Sequence, residues 1–164
     1  MSRKPAVIFD RDGTLASVTW CAPRDRHDSE EWRRFNGMIA FDPVVPEVAA
    51  LLRSIRPGVT RIMTSGRMRG DRPGDYSRQI VMRHWLKKHH LPIDHLFMRA
   101  DGDTRVDSEV KREMYERLIR PIFDVRVVID DRPQVCDMWR SFGLHVVQVT
   151  DPGLEPDLTR GAMR

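Results

Sequence analysis

Five short apolar runs, separated by amphipathic stretches, constrain this chain more than any other feature. The runs are residues 6–9, 60–64, 95–98, 125–129 and 145–149. Each is rich in Val, Ile, Phe or Met and precedes a turn or helix signal, so each predicts a strand. Helical spacing fills the gaps. The first helix is expected over 43–55, with Asp42 as N-cap, Pro43 at N1, and Val45, Val48, Leu51, Leu52 and Ile55 on one face. Pro57-Gly58 stops it. A second is expected over 76–89 behind Asp75. A third is expected over 109–120, where Val110, Met114 and Leu118 recur every four residues and Glu113 can pair with Arg117. A fourth is expected over 134–142, with Gly143 as its C′ residue. Strand and helix alternate, which predicts an α/β fold: a mostly parallel sheet covered by helices on both faces.

The exception to this rhythm is residues 15–41, which follow the first strand and show no strand pattern. They carry Trp20, Trp32, Arg24, Arg26, Arg33 and Arg34. They read as a flap or small cap inserted over the strand ends. Residues 1–151 then form one domain, and 152–164 a polar tail. A chain of 164 residues suits a single core. No apolar stretch approaches the roughly 18 residues of a membrane span, so a soluble, cytoplasmic protein is expected. The two cysteines, Cys21 and Cys136, lack the spacing of a zinc site or a disulfide framework. The formal charge of +4, supplied mostly by arginine, favours polyanionic partners.

The chemistry starts at the end of the first run, Ile8-Phe9-Asp10-Arg11-Asp12-Gly13-Thr14. If the chain stays extended, period-two geometry sends Asp10 and Asp12 to the same side. Like charges that close raise each other's pKa unless a cation lies between them. Magnesium suits the place, because it prefers hard oxygen ligands. One carboxylate can then attack phosphorus while the other serves as acid and base.

This motif resembles that of the haloacid dehalogenase superfamily of phosphotransferases. The resemblance implies that Asp10 is the nucleophile and Asp12 the general acid/base. It extends to three further places. Ser65, in Thr64-Ser65-Gly66-Arg67 at the end of the second strand, stands where the family binds a phosphoryl oxygen. Lys111, at the start of the third helix, stands where the family has a lysine facing the phosphate. Asp130 and Asp131, after the fourth strand, stand where the family holds magnesium, with Asp131 as direct ligand and Asp130 in support. The metal set implied is therefore Asp10, Asp12, Asp130 and Asp131. For Asp10 and Asp131 to share an ion, the first and fourth strands must be neighbours. That requires a Rossmann-like, doubly wound sheet of order 3-2-1-4-5 with the site at its topological switch point.

A narrower resemblance covers most of the chain. Gly102-Asp103-Thr104-Arg105-Val106-Asp107 with Lys111, Ser65-Gly66-Arg67, Asp42-Pro43, and Ile129-Asp130-Asp131-Arg132 running to Met138-Trp139-Arg140 are similar to stretches of bacteriophage polynucleotide 3′-phosphatase domains. That resemblance implies magnesium-dependent removal of 3′-terminal phosphate from DNA or RNA ends. It implies substrate contacts by Ser65, Gly66, Arg67, Asp107, Lys111 and an arginine of the flap, Arg24, with Arg26 next. It leaves room for separate kinase or ligase repair partners, for a homodimer, and for the host cytoplasm if the chain is phage-encoded.

Two departures stand out. No G-x-x-x-x-G-K-[ST] occurs in these residues, so no 5′-kinase activity is expected of them. Arg11 replaces the small apolar residue of the phage enzymes. The same Arg-containing motif resembles sugar- and histidinol-phosphate phosphatases, although the cysteine-rich zinc loop of those enzymes is missing. A small-molecule phosphatase of the superfamily therefore stays open, as does a non-catalytic module that binds nucleic-acid ends.

Overall fold

The structure, a computed structural model, describes residues 2–21, 29–70 and 77–150. Five parallel strands form one sheet: β1 (Lys4–Asp10), β2 (Thr60–Met68), β3 (His95–Arg99), β4 (Phe123–Asp130) and β5 (His145–Gln148). Their order is β3-β2-β1-β4-β5, as expected from the sequence. The helices are α1 (Ser29–Gly37), α2 (Pro46–Ser54), α3 (Arg78–Lys88), α4 (Asp107–Met114) and α5 (Pro133–Ser141). Among the described residues, no helix is long and apolar enough to cross a membrane.

Side-chain alternation along β1 feeds two cores, one on each face of the sheet. Val7 and Phe9 join Met63 with Ala49 and Leu52 of α2 and Met82 and Trp85 of α3. Ala6 and Ile8 join Ile62 and Val128 with Ile119, Val135 and Trp139. Burial on both faces explains why the strands read as nearly continuous apolar runs rather than alternating ones.

Two helices depart from expectation, the first because of a long-range pairing and the second because of a π-turn. α2 starts at Pro46 behind Val45, not at Pro43 behind Asp42. Residues 43–45 stay extended because they pair with the loop after β1: Ser17 N–H donates to the Pro43 carbonyl (2.9 Å) and Val45 N–H to the Leu15 carbonyl (3.0 Å). Asp42 is left to make buried ion pairs instead of a cap. Leu51, expected on the buried face, is exposed, and Ala49 takes its place.

The third expected helix is interrupted. α4 ends at Met114, and a π-helical turn follows over Tyr115–Ile119. Arg120 N–H donates five residues back, to the Tyr115 carbonyl (2.7 Å). The extra residue rotates the following side chains. Val110, Met114 and Ile119 are therefore the buried set, and Leu118 is about half exposed. Glu113 and Arg117 do pair, at 2.9 Å.

The other two helices are close to their expected bounds. α3 is capped by Ser77, whose Oγ accepts from Ile80 N–H. The expected cap Asp75 and the first helical residue Tyr76 lie outside the described residues, as does the tail 152–164. α5 ends as expected, with Gly143 at φ +74° and its N–H donating to the Arg140 carbonyl (2.8 Å).

The π-turn makes a ranking that a continuous α-helix would reverse. Ile119→Ala should destabilise the fold by about 2–5 kcal/mol. Leu118→Ala should stay within about 0.5 kcal/mol of the parent. Urea denaturation midpoints of the two variants check this.

Candidate active site

β1 is the central strand, and the sheet order reverses direction beside it. Ligands in such sheets bind beyond the carboxyl ends of the strands at that point. Asp10 is the last residue of β1, and Phe9 pairs in register with Ile129 of β4. Asp130, the last residue of β4, therefore lies next to Asp10, and Asp131 follows it. One carboxylate oxygen from each of Asp10, Asp130 and Asp131 can be chosen so that all three lie within 4.8 Å of one another.

Lys111 enters this cluster from α4. Its Nζ donates to Asp10 Oδ1 (2.6 Å) and Asp130 Oδ2 (2.9 Å), and lies 3.4 Å from Asp107 Oδ2. It is not at the helix start. Asp107 opens α4 and Lys111 is its fifth residue, inside a helical run that the π-turn continues to Ile119. Asp130 is wholly buried and held from three sides: by Lys111, by Trp139 Nε1–H (3.2 Å), and by the backbone N–H of Arg132 (3.3 Å). Thr14 Oγ1 donates to Asp131 Oδ1 at 3.5 Å.

The electrostatics follow from this crowding. Burial raises the Asp10 carboxyl well above its usual range. Lys111 opposes the rise, while Asp130, Asp131 and Asp107 add to it. Burial and the charge of Asp130 push Asp131 up to about 6. Burial works against the Lys111 charge, but Asp10, Asp130 and Asp107 outweigh it and raise its pKa. The donor set is thus hard, oxygen-only and over-supplied with negative charge. Asp10, Asp130 and Asp131 fit a divalent cation such as magnesium.

Asp12 is not part of that cluster. The strand ends at Asp10, and the chain turns at once, with Thr14 and Ala16 N–H both donating to the Arg11 carbonyl. Period-two geometry does not carry past Asp10, so the two carboxylates face different surroundings. Asp12 Oδ1 meets Arg11 Nη1, and Asp12 Oδ2 meets Arg67 Nε at 2.8 Å. Burial opposes its charge, yet Arg67 and Arg11 hold it well below the usual carboxylate range. Its carboxylate, expected to bind metal, is engaged by two guanidinium groups instead.

Ser65, Gly66 and Arg67 lie inside β2 rather than past its end, where the pairing with β3 slips between Ser65 and Met68. Ser65 Oγ accepts the Arg67 backbone N–H (3.2 Å). The Arg67 guanidinium is buried on Asp12, Asp42 (3.4 Å) and the Phe35 carbonyl (2.7 Å). Gly66 has a steric reason to be glycine, since a Cβ there would collide with the Asp107 carboxylate. Asp107 itself meets Arg99 (3.3 Å), Lys111 (3.4 Å) and Arg132 (3.7 Å). Burial opposes its charge, but Lys111, Arg132 and Arg99 lower its pKa. In the structure both Arg67 and Asp107, expected to touch substrate, are engaged by protein groups. Gly13, at φ +86°, is the second obligatory glycine: a Cβ there would meet the Asp131 carboxylate. Arg24 and Arg26 lie outside the described residues.

Sequence reasoning missed four contributors. Trp139 is legible only inside a longer matched stretch. Asp42 reads as a helix cap, and Arg11 as a departure from the phage enzymes shared with sugar- and histidinol-phosphate phosphatases. Arg99 carried no signal, yet it donates to the Gly66 carbonyl (2.6 Å) and the Arg105 carbonyl (2.6 Å) and so shapes the loop that delivers Asp107.

Known proteins resemble this chain in sequence and fold. The family described as the polynucleotide kinase PNKP phosphatase domain matches residues 4–153. A solved chain of the Pnkp1/Rnl/Hen1 RNA repair complex is 30% identical, with a TM-score of 0.74, over 90% of this chain and 42% of that one. A protein of Autographa californica nuclear polyhedrosis virus, provisionally named a bifunctional polynucleotide kinase/RNA ligase, is 25% identical over 146 residues. The match covers 87% of this chain and 19% of the viral protein. The chain thus spans less than half the length of either relative. A haloacid dehalogenase-like family protein from Streptococcus pneumoniae shares the fold at 13% identity and a TM-score of 0.61, over 99% of this chain and 92% of that one.

Trp139 donates to a buried carboxylate while filling the core. Trp139→Phe keeps most of the packing and leaves Asp130 short of one donor, so it should destabilise the protein by about 2 kcal/mol. A lowered urea midpoint with an unchanged slope is the expected result.

Proposed function

The chain belongs to the family of polynucleotide kinase PNKP phosphatase domains, and from that premise we propose that it removes 3′-terminal phosphates from DNA or RNA ends in a magnesium-dependent reaction. The observation that carries this reading is the placement of Asp10. It lies at the carboxyl end of the central strand, with Lys111 on Oδ1 and Asp130 and Asp131 beside it.

In the first step an Asp10 carboxylate oxygen attacks the terminal phosphorus in line. A P–O bond to Asp10 forms as the P–O3′ bond breaks, and the 3′ oxygen leaves with a proton. In the second step water attacks the phosphorus, Asp10 is regenerated, and the water proton is taken up. The resemblance assigns both proton transfers to Asp12. In the free protein Arg11 and Arg67 hold Asp12 ionised, which is the state that accepts the proton in the second step. The proton delivered in the first step has to be carried by Asp12 against the hold of these two arginines. Lys111 offsets charge on the phosphoryl oxygens, where the barrier to phosphoryl transfer is most responsive. Asp10, Asp130 and Asp131 are the residues that would hold magnesium. When bound, it neutralises the crowded carboxylates and the phosphoryl charge.

A nucleic-acid end is favoured over a small molecule by the match with the PNKP family and by the net charge of +4. Trp20 and Trp32 are about half exposed, as stacking on a terminal base requires. A solved relative belongs to the Pnkp1/Rnl/Hen1 RNA repair complex, which supports other repair proteins as partners of this chain.

Phosphate release from matched 3′- and 5′-phosphorylated oligonucleotides, with magnesium or with chelator, tests this reading. Release should occur from the 3′ substrate only and vanish with chelator. Asp10→Asn should lower it by about four orders of magnitude or more in a protein that still folds. A clear preference for sugar phosphates would refute the substrate, and near-normal turnover by Asp10→Asn would refute the nucleophile.

A further inference from the structure

Arg11 stands between Asp10 and Asp12 and is wholly buried. Its guanidinium meets Asp12 Oδ1 and lies 2.8 Å from Asp42 Oδ2. It donates to the Ile39 carbonyl (3.0 Å), and its central carbon lies 4.6 Å from the centroid of the Trp85 ring. Arg67 completes the set from the other side. It binds Asp12 Oδ2 and Asp42 Oδ2, donates to the Phe35 carbonyl, and stacks over the Phe35 ring at 3.7 Å. Two cations and two anions therefore alternate in a closed ring, and the carbonyls of Phe35, in the last turn of α1, and of Ile39, just beyond it, fasten that end of the helix to the ring.

Stability alone is a poor reason for this ring. Buried ion pairs are often matched or bettered by apolar side chains of similar volume. Arg11 Nε is moreover buried with no hydrogen-bond partner, and such groups in folded proteins call for an explanation. What Arg11 adds is geometric. Arg67 holds one oxygen of Asp12 and Arg11 the other, so the carboxylate cannot turn. The forked guanidinium suits that bridge, and an ammonium group does not.

We propose that Arg11 is a positioning residue of the phosphatase site: with Asp42 as counter-charge, it holds the Asp12 carboxylate in one orientation and locks the 35–42 segment beside it. Arg11 does not touch the reacting atoms, and the proposal rests on the phosphatase reading above. Small misplacements of a reacting group cost about 100-fold in rate, which sets the expected scale.

The test compares wild type, Arg11→Lys, Arg11→Met and the double variant Arg11→Met/Asp42→Asn. Turnover of a 3′-phosphorylated oligonucleotide is measured per folded molecule, with thermal melting in parallel. Arg11→Lys should melt near wild type, lose about 10- to 100-fold in kcat and change KM by less than about threefold. The double variant removes both charges, so it should recover the melting temperature lost by Arg11→Met without recovering kcat. Wild-type turnover per folded molecule in Arg11→Lys or in the double variant would overturn the proposal and leave Arg11 a structural residue. An absence of Asp10-dependent release by the wild-type chain would instead sink the phosphatase reading itself.

Discussion

The contact of Lys111 with Asp10 and Asp130 is the interaction on which the rest of the site depends. Parallel β1 and β4 end side by side, and each ends in aspartate. Taken out of water, these carboxylates repel one another, and burial raises the Asp10 carboxyl. A single buried ammonium from α4 meets both. Removing one partner from such a cluster leaves an uncompensated buried charge, which is among the costliest changes a fold can suffer. Lys111 does not cancel the whole charge, and the raised carboxyls of Asp10 and Asp131 record the surplus. That surplus is a chemical reason for a divalent cation to be at home there.

The site is divided in two. Ala6 and Ile8 belong to the core beneath α5 and the π-turn, and Asp10 continues their alternation towards Lys111 of α4. The other half belongs to the α2 and α3 side, where Trp85 donates to the Asp42 carbonyl (2.8 Å) and lies against Arg11. Asp12 is held there by Arg11 and Arg67. Asp10 and Asp12 thus each have their own cation supply and their own charge state. One half is built to be relieved by incoming charge, and the other is already neutralised.

Legibility in the sequence followed the range of the forces involved. Apolar periodicity is local, so all five strands and four of the helices could be read from it. The errors arise where a distant group intervenes. Asp42 has the residue type and setting of a helix cap, but a buried arginine 31 positions earlier and another 25 positions later claim its carboxylate. Leu118 fits the four-residue repeat, but the π-turn advances the buried face by one residue. Arg99 bears no motif at all, because most of its contacts are to backbone carbonyls, which any residue can supply, and its one carboxylate partner is Asp107, eight positions on.

By itself, the sequence determined the five strands, the four helices that alternate with them and the acidic residues that end β1 and β4, because each is written in contiguous residues; α1, inside the stretch read as a flap, was not among them. That Asp10 lies beside Asp130 also followed, once the strand order was inferred. Only the tertiary structure decided how the charges are shared. Asp12 went to Arg11 and Arg67, and Lys111 went to Asp10 and Asp130. The reason is physical: partnership among buried ions depends on distances of a few ångströms between residues tens of positions apart. Such distances are set by the packing of whole helices against the sheet.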